Sequence, residues 1–256
     1  MMKISVVLAV YNEEENLRNC LESVKDLAWE IVIVDGGSKD NTLAVAKQFK
    51  SKIIQTNNPP IFHINKNKAI DAASGDWILQ LDADEVVTKE LAEEIKKNVF
   101  VKSDINGYWI PRKNLFLGRY LMKGGQFPDY TLRLYKKGKG RLPAKDVHEQ
   151  AQIQGKVDFL KKPLLHLRDK SFNVYLERFN RYTSLLAIQL KEEGLKKNFV
   201  SFINFIFVRP IVWFLKAYIV HKGFIDGFPG FVFALFSSLR FPTAYFKFLI
   251  NYENRN

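Results

Sequence analysis

Trp77-Ile78-Leu79-Gln80-Leu81-Asp82-Ala83-Asp84-Glu85 decides how the rest of the chain is read. Four of the five residues from Trp77 to Leu81 are apolar and the run ends abruptly in acid, the pattern of a buried strand delivering carboxylates at its carboxyl end. In an open parallel sheet ligands bind in the crevice beyond such ends, so three acids there point to a site. Carboxylates this close repel one another, and a hard divalent cation shared with substrate phosphates would offset the repulsion. An acidic turn opening the next helix, with Thr88 as N-cap and Glu90 in its first turn, explains the same residues without a metal. The stretch alone leaves both readings standing.

Upstream, the chain alternates. Ile4 to Val10 reads as a buried strand, and Glu14 to Val24 as a helix with Leu17, Leu21 and Val24 on one face. Ile31 to Val34 is a second strand, followed by a helix through Phe49 capped by Asp40 or Asn41. A short strand at Lys52 to Gln55 and a helix around Lys66 to Ala73 lead into the Trp77 strand. Strands alternating with helices imply a parallel sheet with right-handed crossovers. The three clearest strands all end in polar groups: Tyr11-Asn12-Glu13, Asp35-Gly36-Gly37-Ser38 and Asp82-Ala83-Asp84-Glu85. One Asp after a strand is commonly a helix cap, but three such ends converging on one crevice favour a ligand site. Gly36-Gly37 permits close backbone approach, yet it is neither a phosphate-cradling lysine loop nor the spaced-glycine dinucleotide fingerprint. An acid after a strand can instead hold a ribose hydroxyl or a base edge, which points to a sugar nucleotide.

These blocks resemble the family 2 glycosyltransferases, which have the GT-A fold. Ser5 to Glu14 resembles that family's first strand and nucleotide loop, and Ile31 to Thr42 its second strand and nucleoside-binding Asp. Asn67-Lys68-Ala69-Ile70 with Ser74-Gly75-Asp76-Trp77 resembles the helix leading to its Asp-x-Asp strand, here Asp82-Ala83-Asp84. The resemblance implies an α/β fold with a mixed, mainly parallel sheet flanked by helices. It implies Asp35 on the uracil or ribose, Tyr11, Glu13 and Lys68 about the nucleotide sugar, and Asp82 and Asp84 around the ribose and a metal-bound diphosphate. Mg²⁺ or Mn²⁺ on Asp84 would stabilise the leaving nucleoside diphosphate, so no protein acid is needed at that oxygen. One carboxylate acting as base on the acceptor hydroxyl then suffices for a single displacement with inversion.

Beyond residue 101 the rhythm breaks. Gly107 to Arg112 and Asp129 to Tyr135 read as strands of a more antiparallel section, separated by the loop Lys123 to Pro128. Asp129, Asp146 and Glu149 are the acids available as base. Glu149 is favoured because Asp146-Val147-His148-Glu149 forms a polar turn before the strand-like Lys156 to Leu160, with Asp129 as runner-up. The His-Glu pair also resembles one in the family's lipopolysaccharide-core subgroup, although a surface turn accounts for it too. His166, in apolar surroundings, is either a satisfied core residue or a further metal ligand. Arg133 and Arg168 are phosphate candidates or structural charges.

Ser171 to Glu193 reads as a long helix with Phe172, Tyr175, Phe179, Tyr182, Leu186 and Leu190 on one face. Phe199 to Ile250 is rich in aromatic residues and punctuated by Arg209, Lys216, Lys222, Arg240 and Lys247. Its longest uncharged runs, Asn198 to Val208 and Gly227 to Leu239, fall short of the ~20 residues of a spanning helix. Helices lying in an anionic membrane interface fit this composition, as does a helical pair packed on protein or in a homo-oligomer. The expected organisation is therefore a catalytic domain over 1–170, divided into a nucleotide-sugar half (1–101) and an acceptor half (102–170), and a helical extension over 171–256.

The charge totals agree. Residues 1–101 carry 12 Lys and Arg against 16 Asp and Glu, whereas residues 102–256 carry 27 against 11. The basic half is suited to an anionic partner. Nucleic acid is disfavoured, because its phosphates would meet like charge at the acidic strand ends, though a basic non-catalytic binder is the alternative from a different class. The single Cys20 excludes an internal disulfide, consistent with a reducing compartment. No signal peptide is visible, since the run Ile4 to Val10 is short and leads into Asn12-Glu13-Glu14-Glu15. Together with the resemblance to glycosyltransferases that extend the lipopolysaccharide inner core, these features lead to four expectations: a UDP-sugar donor, with glucose favoured; a lipid-linked glycan acceptor; a cytoplasmic protein peripheral on the inner membrane face; and, as alternative, transfer to a polyprenyl phosphate.

Overall fold

A computed structural model describes residues 2–101, 104–144, 150–169 and 171–253. The alternation expected over the first hundred residues is present. β1 (Ile4–Val10), α1 (Glu14–Val24), β2 (Glu30–Asp35), α2 (Thr42–Gln48), β3 (Lys52–Gln55), α3 (His63–Ala72) and β4 (Trp77–Gln80) follow in turn. β3, β2, β1 and β4 lie side by side in parallel. Residues alternating along β1 face opposite ways, as strand pleating requires. Val6, Leu8 and Val10 join a core with Leu17, Leu21 and Val24 of α1, while Val7 joins Ala69 and Ile70 of α3 on the other face. Both faces are covered, so every β4 side chain is buried and its carboxyl end is the exit for the acids.

After β4 come β5 (Glu85–Val87) and α4 (Lys89–Val101). The two readings of the acidic stretch prove compatible. Thr88 caps α4, its hydroxyl accepting the Leu91 N–H at 3.1 Å, while β5 holds the acids before it in the sheet. β6 (Ile105–Phe116), β7 (Arg119–Tyr120), β8 (Asp129–Lys136), β9 (Gly140–Arg141), β10 (Gln152–Ile153), β11 (Lys156–Phe159) and β12 (Leu164–Asp169) complete the strands. The main sheet runs β3-β2-β1-β4-β8-β6-β12-β5, and its β4–β8, β8–β6 and β12–β5 pairs are antiparallel. The sheet is thus parallel on the nucleotide side and largely antiparallel beyond it.

Helices α5 (Phe172–Glu192), α6 (Phe199–Ile203), α7 (Arg209–Leu215) and α8 (Gly227–Glu253) follow. π-helical turns at Asn204–Val208 and Lys216–Val220 join α6 and α7 into one rod, Phe199–Val220. The chain divides into two compact units, one of residues 1–112 and 129–167 and one of residues 113–128 and 168–256. In the second, Phe116 and Leu121 of the 113–128 insertion pack with Tyr175 of α5 and Val232 of α8. Buried Asp226 fastens the same insertion by accepting the Met122 and Lys123 N–H groups at 3.0 and 2.7 Å.

The reading of the tail by uncharged runs is corrected. Phe199–Val220 and Gly223–Ile250 are helices long and apolar enough to cross a membrane by length and composition, with mean hydropathies of 1.6 and 1.3. Arg209 and Arg240 do not interrupt them, because their guanidinium groups lie over Phe205 (4.1 Å) and Trp213 (4.3 Å).

Candidate active site

The carboxyl ends of β1, β2 and β4 are tied together by their own loops. Asn12 takes a left-handed φ of 54°, which its short amide side chain tolerates. Its N–H donates to Ser38 Oγ at 2.9 Å and its Oδ1 accepts the Lys39 N–H at 2.8 Å. The Glu13 N–H donates to Thr42 Oγ1 at 2.7 Å. Asp35, fully buried at the end of β2, accepts the Gly37 and Ser38 N–H groups at 3.1 Å each. Gly37 has φ 86°, and a Cβ on Gly36 would come within 3.1 Å of Asn58 Cβ, so the glycine pair shapes this loop. Lys68 reaches the same rim: its Nζ donates to Thr56 Oγ1 at 2.8 Å, and the Thr56 N–H donates to the Asp35 carbonyl at 2.9 Å. Tyr11, at the mouth of the β1 loop, is 41% exposed and open to a ligand.

Beyond β4 the chain makes a tight acidic turn in which the Asp82 N–H donates to Glu85 Oε2 at 2.9 Å. Asp82 is held between two buried cations, Lys66 of α3 and Arg133 of β8. Arg133 also bonds Glu85 at 2.8 Å; Glu85 takes Arg112 at 3.4 Å, and Arg112 grips Asp129 at 2.7 and 3.0 Å. Lys66, Asp82, Arg133, Glu85, Arg112 and Asp129 thus alternate in sign, three cations against three carboxylates. Burial opposes ionisation of Asp82, but Arg133 and Lys66 overcome it and hold the carboxyl well below its usual range.

Arg133 owes its aim to a fault in the sheet. Tyr108 of β6 pairs with Leu134 and Trp109 with Leu132, which leaves Arg133 as the extra residue of a bulge. Such a bulge redirects a side chain out of the ordinary alternation.

Asp84 stands outside the neutral chain. Its Oδ2 lies 3.2 Å from Nε2 of buried His166, which sits on β12 opposite Glu85, and its carbonyl accepts the Leu167 N–H at 2.8 Å. Burial pushes the Asp84 carboxyl up, but the His166 hydrogen bond and the charges of His166 and Arg133 together outweigh it and the group is lowered. Glu13 goes the other way: burial raises its carboxyl, the Asn16 amide opposes this, and the charges of Asp84 and Asp82 add to the rise. Glu13, Asp82 and Asp84 therefore share one electrostatic environment.

Among the described residues no group of three or more His, Cys, Asp or Glu gathers as a metal cage. Two donors nevertheless fit a cation that keeps phosphate and water ligands: Asp84 Oδ2 and His166 Nε2, 3.2 Å apart, match the separation of about 3 Å between neighbouring ligands of a six-coordinate ion with ~2.1 Å bonds. Asp82, already bound by two cations, is poorly placed to serve as a ligand.

Glu149 lies outside the described residues, as do Asp146 and His148. The carboxylate of Asp129, the runner-up, is committed to Arg112. Arg133 is committed to Asp82 and Glu85, and Arg168 belongs to the second unit, where it bonds Tyr182. Lys66 and Arg112 are not marked by the sequence as site residues, and Glu85 is marked there only as one of the three acids that end the Trp77 strand. Lys66 had a signal: it precedes Ala69 and Ile70 by three and four residues, which puts it on the buried face of α3.

Residues 5–152 match the family model described as Glycosyl transferase family 2. The chain belongs to glycosyl transferase family 2. This glycosyltransferase is 30% identical, over 91% of its length and 82% of the relative's, to an uncharacterised glycosyltransferase of Rickettsia typhi. It is 28% identical over 93% of its length to the lipopolysaccharide core biosynthesis glycosyltransferase LpsC of Rhizobium meliloti, covering 92% of that protein. The mannosyltransferase PcManGT of Pyrobaculum calidifontis, solved in complex with GDP-Man and Mn²⁺, aligns with the whole chain and with 76% of its own length, at a TM-score of 0.53 and 14% identity. The likeness is one of fold, and the fold of this glycosyltransferase is GT-A.

Proposed function

We propose that this glycosyltransferase moves a hexose, glucose before others, from a UDP-sugar to a lipid-anchored glycan such as lipopolysaccharide core, with inversion. The observation that carries the reading is the separation of Asp84 and His166 from the charge-balanced chain running from Lys66 to Asp129. It leaves one ionised carboxylate and one imidazole facing the crevice where the β1 and β2 loops converge. Mg²⁺ or Mn²⁺ held by Asp84 and His166 would neutralise charge on the leaving diphosphate.

The chain's own residues supply the rest. Asp35, Lys68 and Tyr11 border the nucleoside end, and Glu13 borders the ribose. Asp82 is fixed by Lys66 and Arg133, so its remaining lone pairs can orient the donor without a reorganisation cost. Glu149 is the proposed base on the acceptor hydroxyl, with Asp129 second. Exposed apolar residues of the 168–256 segment, among them Phe199 (76%), Val200 (74%), Ile211 (57%) and Phe228 (73%), suit a membrane that presents the acceptor. The name of the Rhizobium meliloti relative supports a lipopolysaccharide acceptor, and with it a place on the inner face of the cytoplasmic membrane.

Titration calorimetry of UDP, and separately GDP, with and without Mn²⁺ tests the donor site. Metal-dependent UDP binding that disappears in Asp84→Ala is expected; undiminished binding in that variant overturns the metal assignment. Loss of transfer in Glu149→Gln is expected for a sugar acceptor, whereas retained transfer favours a polyprenyl phosphate, whose phosphate is itself the nucleophile and needs no strong base.

A further inference from the structure

Two helices of the second unit are long and apolar enough to cross a bilayer, and what holds their ends decides how they can meet one. The turn between them, residues 221–226, is fastened to the 113–128 insertion. The His221 carbonyl accepts the Gly124 N–H at 2.9 Å, the Ile225 carbonyl accepts Arg119 Nη2 at 3.3 Å, and Asp226 holds Met122 and Lys123. Gly124 is five residues from Asp129 of the first unit, at most ~18 Å of fully extended chain. The hydrocarbon core of a bilayer is about 30 Å thick. The turn therefore stays on the side of the membrane where Asp129 lies.

Helix α5 decides whether the opposite end can lie across the bilayer. It runs along α8: Phe172 and Phe179 meet Phe236 edge-on at 5.3 and 5.4 Å, Lys247 Nζ bonds Asn180 Oδ1 at 2.6 Å and Thr183 Oγ1 at 2.8 Å, and Ala187 and Leu190 cluster with Tyr245 and Phe248. Phe236 stands at the middle of Gly223–Ile250. A crossing α8 would carry the Phe172 to Phe179 stretch of α5 to the bilayer midplane, with exposed Glu177 and Arg181 beside it. Charged side chains at that depth are costly and belong in a bundle interior or a wet cavity, not on an exposed face. Crossing would also translocate Lys191, Lys196 and Lys197 at the far end of α5, against the bias that keeps Lys and Arg untranslocated.

The outward surface of the rod suits a single leaflet. Val208, Ile211, Val212, Leu215 and Ile219 are each about half exposed. Between residues 199 and 250 the one acid, Asp226, is buried, against the cations Arg209, Lys216, Lys222, Arg240 and Lys247. Arg209 and Lys216 are exposed on the rod itself, where a long stem can lie in the apolar zone while its charge reaches anionic headgroups. Apolar residues with cations and no acid are the composition of a helix lying in the interface plane.

We infer that the rod Phe199–Val220 lies in the plane of one anionic leaflet, that neither apolar helix crosses the bilayer, and that α5 stays on the aqueous side. The inference rests on the membrane reading proposed above and adds its topology.

The full chain is expressed in bacteria, and its sidedness is read with a membrane-impermeant maleimide. E192C, near the far end of α5, is compared with K25C, exposed in the first unit; native Cys20 is buried. Both should label in inside-out vesicles, and both should label less than a tenth as much in intact spheroplasts. Labelling of E192C but not K25C in spheroplasts overturns the in-plane placement and leaves membrane association standing. In the second arm, I211S/L215S should lower membrane partitioning about 10-fold or more with an unchanged melting temperature, whereas V157S, exposed in the first unit, should partition as wild type does. Undiminished partitioning of I211S/L215S overturns the rod as the inserted surface, and the labelling arm stands whether or not that variant folds. Wild-type protein recovered wholly in the soluble fraction overturns both the inference and the membrane reading beneath it.

Discussion

Arg133→Met removes the guanidinium that lies between two buried carboxylates. Asp82 keeps Lys66, but Glu85, fully buried, is left with Arg112 at 3.4 Å as its remaining cation. Met has similar length and no donor, so packing changes little and the loss is electrostatic. Removing one partner of a buried ion pair typically costs ~3–5 kcal/mol, because the other charge stays behind uncompensated. We expect about 3 kcal/mol, the lower end, since Lys66 and Arg112 remain. Urea denaturation of wild type and variant at pH 7 and at about pH 2.5 measures it. The sign with pH follows from Asp82, whose folded pKa is depressed. Its contribution is complete above the unfolded value of about 3.9 and drains away as pH falls toward the folded one. In the variant the depression is smaller, so protonation overtakes it at a less acidic pH. The deficit should therefore be widest at pH 7 and narrower at about pH 2.5, below the unfolded value of Asp82. A second substitution, Glu85→Gln, should recover part of the pH 7 loss. A deficit under ~1 kcal/mol, or one that is the same at both pH values, refutes the claim that Arg133 is held by charge.

Asp84→Asn should abolish the effect of Mn²⁺ on UDP affinity while shifting the urea midpoint by no more than ~1 kcal/mol, the worth of one exchangeable hydrogen bond; calorimetry and denaturation on the same preparation check both. Gly230→Ala should destabilise the second unit by about 3 kcal/mol in thermal unfolding followed by Trp213 fluorescence, because the new Cβ would stand 2.1 Å from the Gly223 carbonyl oxygen. Cys20 should resist maleimide in the native protein and react only on unfolding, since burial pushes its thiol well up and Glu85, Asp84 and Asp82 push it further; mass spectrometry before and after denaturant decides.

Much of this site is written in local sequence, because a strand that ends in acid declares both its direction and its use. Ile4 to Val10, Glu14 to Val24 and Lys52 to Gln55 fold over the ranges their periodicity marks, and Asp35, Asp82 and Asp84 stand at strand ends as that periodicity requires. What the sequence could not show is pairing. Arg112 opposes Asp129 through the register of β6 on β8, which no local pattern records, and the bulge that frees Arg133 is a mismatch between two strands rather than a property of either. Lys68 is legible from a motif, whereas Lys66 is legible only from the buried face of α3. The tail is helical and apolar as its composition indicates, and only the length of its apolar segments is under-read: counting charges along Phe199 to Ile250 treats each as a break, whereas Arg209 and Arg240 lie over aromatic rings within long helices.

The charge asymmetry between the two halves then acquires a mechanism. The first unit sets buried Lys66 and Arg133 against its own acids, while Asp84 pairs with His166. In the second unit Asp169 pairs with Arg178, and 16 Lys and Arg stand against 6 Asp and Glu. An electrostatic surplus of either sign is informative only after the internal pairs have been subtracted, so net charge by itself could not name the residues.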